Sequence, residues 1–564
     1  MSEPRLILDH VYEHEVEQPD RVFLTQPTGG GQVVDYSWAQ TLDQARRMAA
    51  HLKSLQLPPG ARIAMLAKNS AHFFIAELAI WMAGGTTVAI FPTETADNVR
   101  YVLQHSEASL LFIGKLDTWA QQRGGVPAGL PCIALPLAPV LEPDVGAERW
   151  DDIVARTAPL PGRPARWADD LAMLLYTSGS TGQPKGVMQS FRSITAATNG
   201  ILAQGRSRDG DLMQNERVIS YLPLAHCFER AWIECSSLIA GNTQVFFSES
   251  LATFMSDIQR AQPTWFISVP RLWTKFQQAV LARMPAAQLD AALANPALAA
   301  AVGVKVLDGL GLGQVRRAGC GSAPLPAELL RWYRRLGLDL YEGYAMTEDF
   351  AYSHTGQPGA QAVGTVGRPF ADVQARIDDD GEVLVKSPGQ MVGYYKLPEL
   401  NAQSFTADGF FRTGDLGRYD ESGQLVLTGR KKELFKTAKG KYVAPAPIEN
   451  RLNEHPMVEL SLVAGVGQPA AHAVLVLDEH LRPQLGDPVV RDRVETALTR
   501  LLNEVNDGLA SHERLQMLVV VKEPWSIEAG TLTPTMKIKR ACIEAQVADA
   551  VDGWYLSGAP VVWA

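Results

Sequence analysis

Short aliphatic runs alternate with helix-patterned segments through the first half of the chain, and that alternation restricts it to sheets buried beneath crossover helices. Ser37 and Gln40 form a capping box ahead of Leu42, Ala45, Met48, Ala49, Leu52 and Leu55, which recur at helical spacing. Pro58-Pro59-Gly60 breaks that helix, and RIAMLA follows as a strand. Asn69-Ser70 offers caps for a helix over 71–83, Gly84-Gly85 ends it, and TTVAIF (86–91) is the next strand. Further strands are expected at SLLFIG (109–114), LAMLLY (171–176), VISYLP (218–223), TQVFFS (243–248), TWFISVP (264–270) and LDLYEGY (338–344). Helices are expected at 228–240 and 327–336, and the alanine-rich stretch 286–303 reads as surface helix or helical hairpin.

From Gly364 the texture shifts to short strands with Gly/Asp turns, GEVLVKS and then GFFRTGDLGRYDESGQLVLTGRKK, a small β-rich subdomain. After Arg430 alternating α and β patterns return through ELSLVAGVG, HAVLVLDE, a long helix near 490–508 and MLVVVKE. The expected division is therefore residues 1–430 and 431–564, with the boundary between Arg430 and Lys432. No internal repeat is evident.

The net charge of −9 leaves no basic excess to neutralise phosphates, which argues against a nucleic-acid binder. Five scattered cysteines show no CxxC and no ligand spacing, so a structural zinc is not expected and a reduced cytoplasmic setting is. The acidic, histidine-bearing N-terminus does not read as a signal peptide. The most apolar stretch, His72 to Pro92, is interrupted by Glu77 and Gly84-Gly85 and reads as buried helix, turn and strand rather than a membrane span. Peripheral membrane contact is left open.

Function is legible first in YTSGSTGQPKG, residues 176–186. A strand feeding a glycine-rich turn leaves backbone N–H groups free to wrap an anion. Thr177, Ser178, Ser180 and Thr181 can donate to phosphate oxygens, Gly179, Gly182 and Gly186 permit tight turning, and Lys185 adds a point charge. A helix-like stretch is expected to follow. The spacing is not the GxxxxGK[ST] of a P-loop, and the cluster Gly309 to Gly313 does not fit GxGxxG, so hydride-transfer chemistry is disfavoured.

Five further segments accompany this loop: YLPLAHCFER (221–230), GCGSAPLPAELL (319–330), YEGYAMTE (341–348), FRTGDLGR (411–418) with GRKKELFKTAKGKYVAPAPIE (429–449), and LTPTMKIKR (532–540). Their order and spacing resemble the AMP-forming adenylating enzymes, the superfamily of acyl-CoA synthetases and firefly luciferase, from Ser37 to Arg540. LPLAHCFER, GKYVAPAPIE and LTPTMKIKR look most like bacterial long-chain fatty-acyl-CoA synthetases. The fold this implies is α/β: a large N-terminal domain of stacked sheets and helices with a β-rich subdomain, and a small mobile α+β lid hinged after Arg430.

The implied reaction joins a fatty acid to ATP as acyl-AMP, releasing pyrophosphate, and then passes the acyl group to coenzyme A. By family match, residues 177–185 hold the β- and γ-phosphates, and Thr347 and Glu348 stand at the phosphate and Mg²⁺ positions. Glu342, Gly343, Tyr344, Ala345 and Met346 belong to the adenine-binding segment, with Tyr344 packing on the base and Gly321, Ser322, Ala323 and Pro324 lining its other side. Asp415 is expected to accept from the ribose hydroxyls and Arg430 to reach ribose or phosphate. Lys537 is the lid lysine expected to stabilise adenylation, selected over Lys539 by its spacing to Arg540. Lys432 is the expected hinge, and the loop around Lys439, Gly440 and Lys441 would line the pantetheine tunnel. His226 borders the acyl pocket, either as a gate or as a satisfied core histidine. Phe228, Trp232 and Leu238, with the segment Trp265 to Trp273, are expected to wall an apolar cavity. Ala345, where glycine is usual, would add strain if its backbone needed positive φ.

Rival readings are an acyl-AMP ligase that loads a carrier protein, an aryl-acid CoA ligase, and a scaffold retaining a dead site. Lys185, Glu348, Asp415 and Lys537 together argue against the last, and the absence of a fused carrier domain leaves coenzyme A as the expected acceptor.

Overall fold

The structure, a computed structural model, describes residues 5–177, 183–209, 215–357 and 361–564. Packing divides the chain into two units, Met1–Ala375 with Val385–Phe411, and Arg376–Leu384 with Arg412–Ala564. It thereby groups the hairpin of strands Phe411–Tyr419 and Leu425–Arg430, from Arg412 on, with the C-terminal part, whereas the boundary expected from the sequence, between Arg430 and Lys432, comes after that hairpin.

Among the described residues, three sheets lie wholly in the first unit. One runs Glu216–Ser220, Thr243–Phe247, Val22–Gly29, Gln32–Ser37 in spatial order. The largest runs Gly393–Tyr394, Lys185–Ser190, Leu171–Thr177, Thr86–Ile90, Arg62–Leu66, Leu110–Ile113, Cys132–Ala134, Glu148–Arg149. From Leu171–Thr177 onward its strands are parallel, and only the first two are antiparallel to their neighbours. A third sheet runs Trp265–Ser268, Arg317–Cys320, Leu340–Tyr344, His354–Thr355, Arg368–Pro369.

The helix Ala71–Ala83 shows why the apolar run at 72–92 is not a membrane span. Phe74 lies against Phe23 and Phe247 of the first sheet, while the Trp81 indole donates to the Ala172 carbonyl of the largest. A helix held between two sheets must be apolar all round. Its one acid, Glu77, is buried and ion-paired with Arg230, whose Nε also lies 2.9 Å from Glu234. No helix among the described residues is long and apolar enough to cross a membrane.

The capping box at Ser37 and Gln40 is formed in both directions, and the helix it starts, Trp38–Ser54, buries Leu42, Ala45, Met48, Ala49 and Leu52. The helix expected at 228–240 is present but contains a wide π turn, Arg230–Cys235. The alanine-rich stretch forms two largely exposed helices, Ala286–Ala294 and Ala299–Gly309.

Trp273 does not wall a cavity as its segment was expected to. The helix Pro270–Arg283 turns it inward among Phe266, Phe276 and Tyr333, where it is fully buried. Its indole donates to the Gly319 carbonyl, and its own carbonyl accepts from Tyr333 at 2.6 Å. It is thus a core residue beneath the third sheet.

In the second unit a sheet ordered Val458–Ala464, Ala471–Leu477, Leu515–Val520, Val561–Trp563 is covered on both faces. Ala473 and Leu475 meet Val494, Leu498 and Leu502 of the helix Pro488–Asp507 on one side. Val474 and Val476 meet Trp525, Ile543 and Trp554 on the other, which explains the unbroken hydrophobicity of HAVLVLDE. The helices Arg540–Val547 and Val551–Ser557 and the strand Val561–Trp563 had no counterpart in the sequence reading.

Truncating Trp273 to alanine should lower the stability of the first unit by ~3–5 kcal/mol in chemical denaturation, as for other buried large-to-small changes. Leu251→Ala, at a side chain 94% exposed, should change it by under ~0.5 kcal/mol.

Candidate active site

The strand Leu171–Thr177 folds back on Lys185–Ser190 as an antiparallel hairpin, with Thr177 directly opposite Lys185. Ser178, Gly179, Ser180, Thr181 and Gly182 lie outside the described residues. The expectation of a helix after the loop is corrected here: a strand follows, and the helix begins only at Phe191. Val187 and Gln189 are buried and pair with Leu175 and Met173, so the segment is held in the sheet before it can coil. Gly186 lies in the strand rather than in the turn, where an added Cβ would meet the Tyr176 ring at 3.2 Å.

Thr347 and Glu348 lie on a short 3-10 turn, Thr347–Asp349. Asp349, which sequence reasoning missed, shapes that turn. Its Oδ1 accepts from the backbone N–H groups of Met346 at 2.9 Å and Tyr352 at 3.2 Å. Burial pushes its carboxyl up to about 8. Glu348 is half-buried, and its Oε1 accepts from the Tyr394 hydroxyl at 2.7 Å. The Lys185 ammonium lies 5.5 Å from the centroid of that same tyrosine ring. The Thr347 carbonyl accepts from Gln189 at 2.9 Å, and its hydroxyl donates to Cys227 Sγ at 3.5 Å.

His226 next to it is half-buried, and its Nδ1 accepts from the Phe228 N–H at 3.2 Å, capping its own helix. The Phe228 ring would be 3.3 Å from a Cβ at Gly321, so glycine there admits close approach of the 321–324 loop. Ser322, Ala323 and Pro324 are exposed, and Ser322 takes φ +70°. Phe228, Trp232, Trp265 and Phe370 form a chain of ring contacts 5.8–6.4 Å apart. Glu342 is buried, accepts from the Leu325 N–H at 3.1 Å, and is pushed up to about 8 by burial. Gly343 pairs with Thr355, and Tyr344 pairs with His354 and is only 9% exposed. Ala345 and Met346 are half-buried, and Ala345 does not require positive φ, so alanine causes no strain.

Within the first unit, then, Thr177, Lys185, His226, Gly321, Glu342, Thr347 and Glu348 are joined by direct contacts or one intervening residue. In the second unit Asp415 and Arg430 stand opposite each other across a hairpin, with Arg430 Nε 2.8 Å from Asp415 Oδ1. Lys432 is exposed in the turn Lys431–Glu433. Gly440 takes φ +73° in a tight turn closed by Thr437 and Lys441, a conformation glycine adopts without cost. Lys537 follows Met536, at φ +62°, on a hairpin tip where its N–H donates to Thr533 Oγ1 at 3.1 Å. Arg540 anchors that tip: its Nη2 donates to both Glu449 carboxylate oxygens at 2.8 and 3.0 Å, and its Nη1 to the Val463 carbonyl at 2.8 Å.

In the first unit, an α/β body, the hairpin strand carrying Lys185, the half-exposed acid Glu348 on its turn and the exposed residues 322–324 stand together. The AMP-binding enzyme family matches residues 11–395, and the AMP-binding enzyme C-terminal domain matches residues 433–558. The chain belongs to the AMP-binding enzyme family. It is similar to the long-chain-fatty-acid–CoA ligase FadD15 of Mycobacterium tuberculosis, with 30% identity covering 97% of this chain and 96% of the relative. It is also similar to human long-chain-fatty-acid–CoA ligase 1, with 28% identity covering 93% and 82%. Among solved structures, the A-PCP didomain of carboxylic acid reductase from Segniliparus rugosus in complex with AMP shares the fold, with TM-score 0.80 at 22% identity over 98% of this chain and 82% of that one. The anthranilate CoA ligase AuaEII in complex with anthranoyl-AMP does so with TM-score 0.76 at 21% identity, over 98% and 99%.

The raised Glu342 predicts a pH effect. Its carboxyl is protonated in the folded chain and ionised in the unfolded chain between the ordinary glutamate value and about 8. Its contribution is present at low pH and lost as pH rises, by up to ~1.4 kcal/mol per pH unit in that window. Glu342→Gln keeps the acceptor for Leu325 and removes the titration. Denaturation across the window should show wild type losing stability relative to the variant as pH rises, and parallel curves would refute the assignment.

Proposed function

We propose that this chain is an ATP-dependent ligase that activates a medium- to long-chain fatty acid as acyl-AMP and transfers it to coenzyme A. The observation that carries this reading is the end-to-end similarity to long-chain-fatty-acid–CoA ligases, which spans both units. The first-unit geometry supports it.

In the first half-reaction a fatty-acid carboxylate oxygen attacks the α-phosphorus, and the bond to the β-phosphate oxygen breaks. Attacking and departing groups are both anionic, so the site must supply cations and N–H donors. Residues 177–185, with Lys185, hold the β- and γ-phosphates in this proposal. Tyr344 and the 321–324 loop border the base, and Asp415 and Arg430 serve the ribose side. The half-exposed Glu348 carboxylate and the Thr347 hydroxyl are hard oxygen donors of the kind Mg²⁺ takes, whereas Asp349 is buried and its Oδ1 already accepts from two backbone N–H groups. Mg²⁺ bound there would supply positive charge to the polyphosphate.

Lys537 stabilises the charge developing between carboxylate and α-phosphate. In the second half-reaction the coenzyme A thiol attacks the acyl carbonyl, the mixed-anhydride bond breaks, AMP leaves and the thiol proton passes to solvent. Lid rotation at Lys432, at the boundary of domains 1–430 and 431–564, exchanges Lys537 for the loop around Gly440. His226 borders the acyl pocket as a gate. The five cysteines are free, which supports a reduced, cytoplasmic setting.

Pyrophosphate release across a ladder of fatty and aromatic acids, with and without coenzyme A, tests the reading. Release with medium- and long-chain acids and consumption of coenzyme A are expected, and inactivity with every acid would overturn it. Lys537→Ala should slow acyl-AMP formation by ~10²-fold or more, as loss of a transition-state charge contact does. Lys432→Pro should leave adenylation nearly intact and slow thioester formation, because proline fixes a backbone angle that must change. Equal loss in both half-reactions would contradict the hinge.

A further inference from the structure

Tyr394 was singled out by no sequence motif, yet it touches both charged groups assigned to the polyphosphate. It lies on the two-residue strand Gly393–Tyr394, paired antiparallel to Lys185–Ser190 with Tyr394 opposite Val187. Side chains two residues apart on a strand share a face, so Tyr394 and Lys185 point to the same side. The backbone of Tyr394 is fixed on its other edge as well. The Asn401 side chain accepts from its N–H at 2.7 Å and donates to its carbonyl at 3.0 Å, replacing a strand partner. The Met391 N–H, three residues earlier, donates to the Glu348 carbonyl at 2.7 Å. Tyr394 is therefore a rigid post, 7% exposed, whose hydroxyl takes Glu348 Oε1 and whose ring carries the Lys185 ammonium.

We propose that Tyr394 is a positioning residue for the metal–nucleotide complex: its hydroxyl fixes the Glu348 rotamer so that Oε2 is presented to a hard cation. The ring meanwhile holds Lys185 by a cation–π contact and keeps the ammonium from collapsing onto that carboxylate. Unrestrained, a lysine and a glutamate around one cleft would pair and cost the site both charges before any substrate arrived. A tyrosine between them prevents this, since its hydroxyl satisfies the acid and its face satisfies the cation. The inference rests on the proposed role of Glu348.

The test uses the full chain and the α,β-methylene analogue of ATP, with binding measured by titration calorimetry in Mg²⁺ and in EDTA. Tyr394→Phe keeps the ring and deletes only the hydroxyl. The gain in analogue affinity brought by Mg²⁺ should fall ~10-fold, as on loss of a group that orients a metal ligand. Affinity in EDTA should stay within about twofold, because the ring contact to Lys185 remains. Asn401→Ala, which loosens the post without touching the hydroxyl, should shift the Mg²⁺ response the same way by a smaller factor. Glu348→Gln separates the two levels of the claim. If it abolishes the Mg²⁺ gain while Tyr394→Phe and Asn401→Ala retain it in full, Tyr394 is merely a satisfied core tyrosine and the inference fails. If Glu348→Gln also retains the gain, the role given to Glu348 fails, and the inference with it.

Discussion

One register, Thr177 opposite Lys185, sets the geometry on which the nucleotide site depends. In a sheet that is otherwise parallel, the chain reverses after Leu171–Thr177 and returns as Lys185–Ser190. The reversal sets Thr177 and Lys185 side by side on fixed backbone. Gln189 on the returning strand then bonds the Thr347 carbonyl, and Tyr394 on the next strand bonds Glu348. A one-residue slip would turn Lys185 to the other face and break this set.

The acids of the first unit divide by burial, and that division decides which can do chemistry. Glu342 and Asp349 are pushed up to about 8 and spend themselves as acceptors for backbone N–H groups. Glu229 behaves alike, raised to about 8 while accepting from Ser220 and the Tyr221 N–H. Burying an unpaired charge costs several kcal/mol, so burial favours the neutral form of each of these carboxyls. Glu77 and Glu234 share one buried arginine, and burial raises Glu234 well above the carboxylate range. Of the three acids in YEGYAMTED, Glu348 alone is half-exposed, and its Oε1 accepts from the Tyr394 hydroxyl.

Most elements were legible because their signals are local. The Ser37/Gln40 box, the αL glycine at Gly84 and the aliphatic runs each specify their own segment. The strand after Thr177 was misread because KGVMQS runs directly into a true helix at Phe191 and lacks strict alternation. Its strand state comes from pairing with Leu171–Thr177, a tertiary fact. Trp273 was misplaced for the same reason: an aromatic near a pocket and an aromatic in a core look alike until the helix is turned. Tyr394 was invisible because its meaning lies in Glu348, 46 residues earlier, and in Lys185, far earlier still. Asp415 and Arg430, by contrast, came from motif order, and the structure added that they pair across strands.

The account stands on a carboxylate oxygen being joined to the α-phosphorus of ATP. Supplying a fatty acid labelled with oxygen-18 in its carboxyl group, together with ATP and coenzyme A, reads that bond directly by mass spectrometry of the products. The account predicts one labelled oxygen in AMP and none in pyrophosphate. Unlabelled AMP, or label appearing in inorganic phosphate, would contradict it.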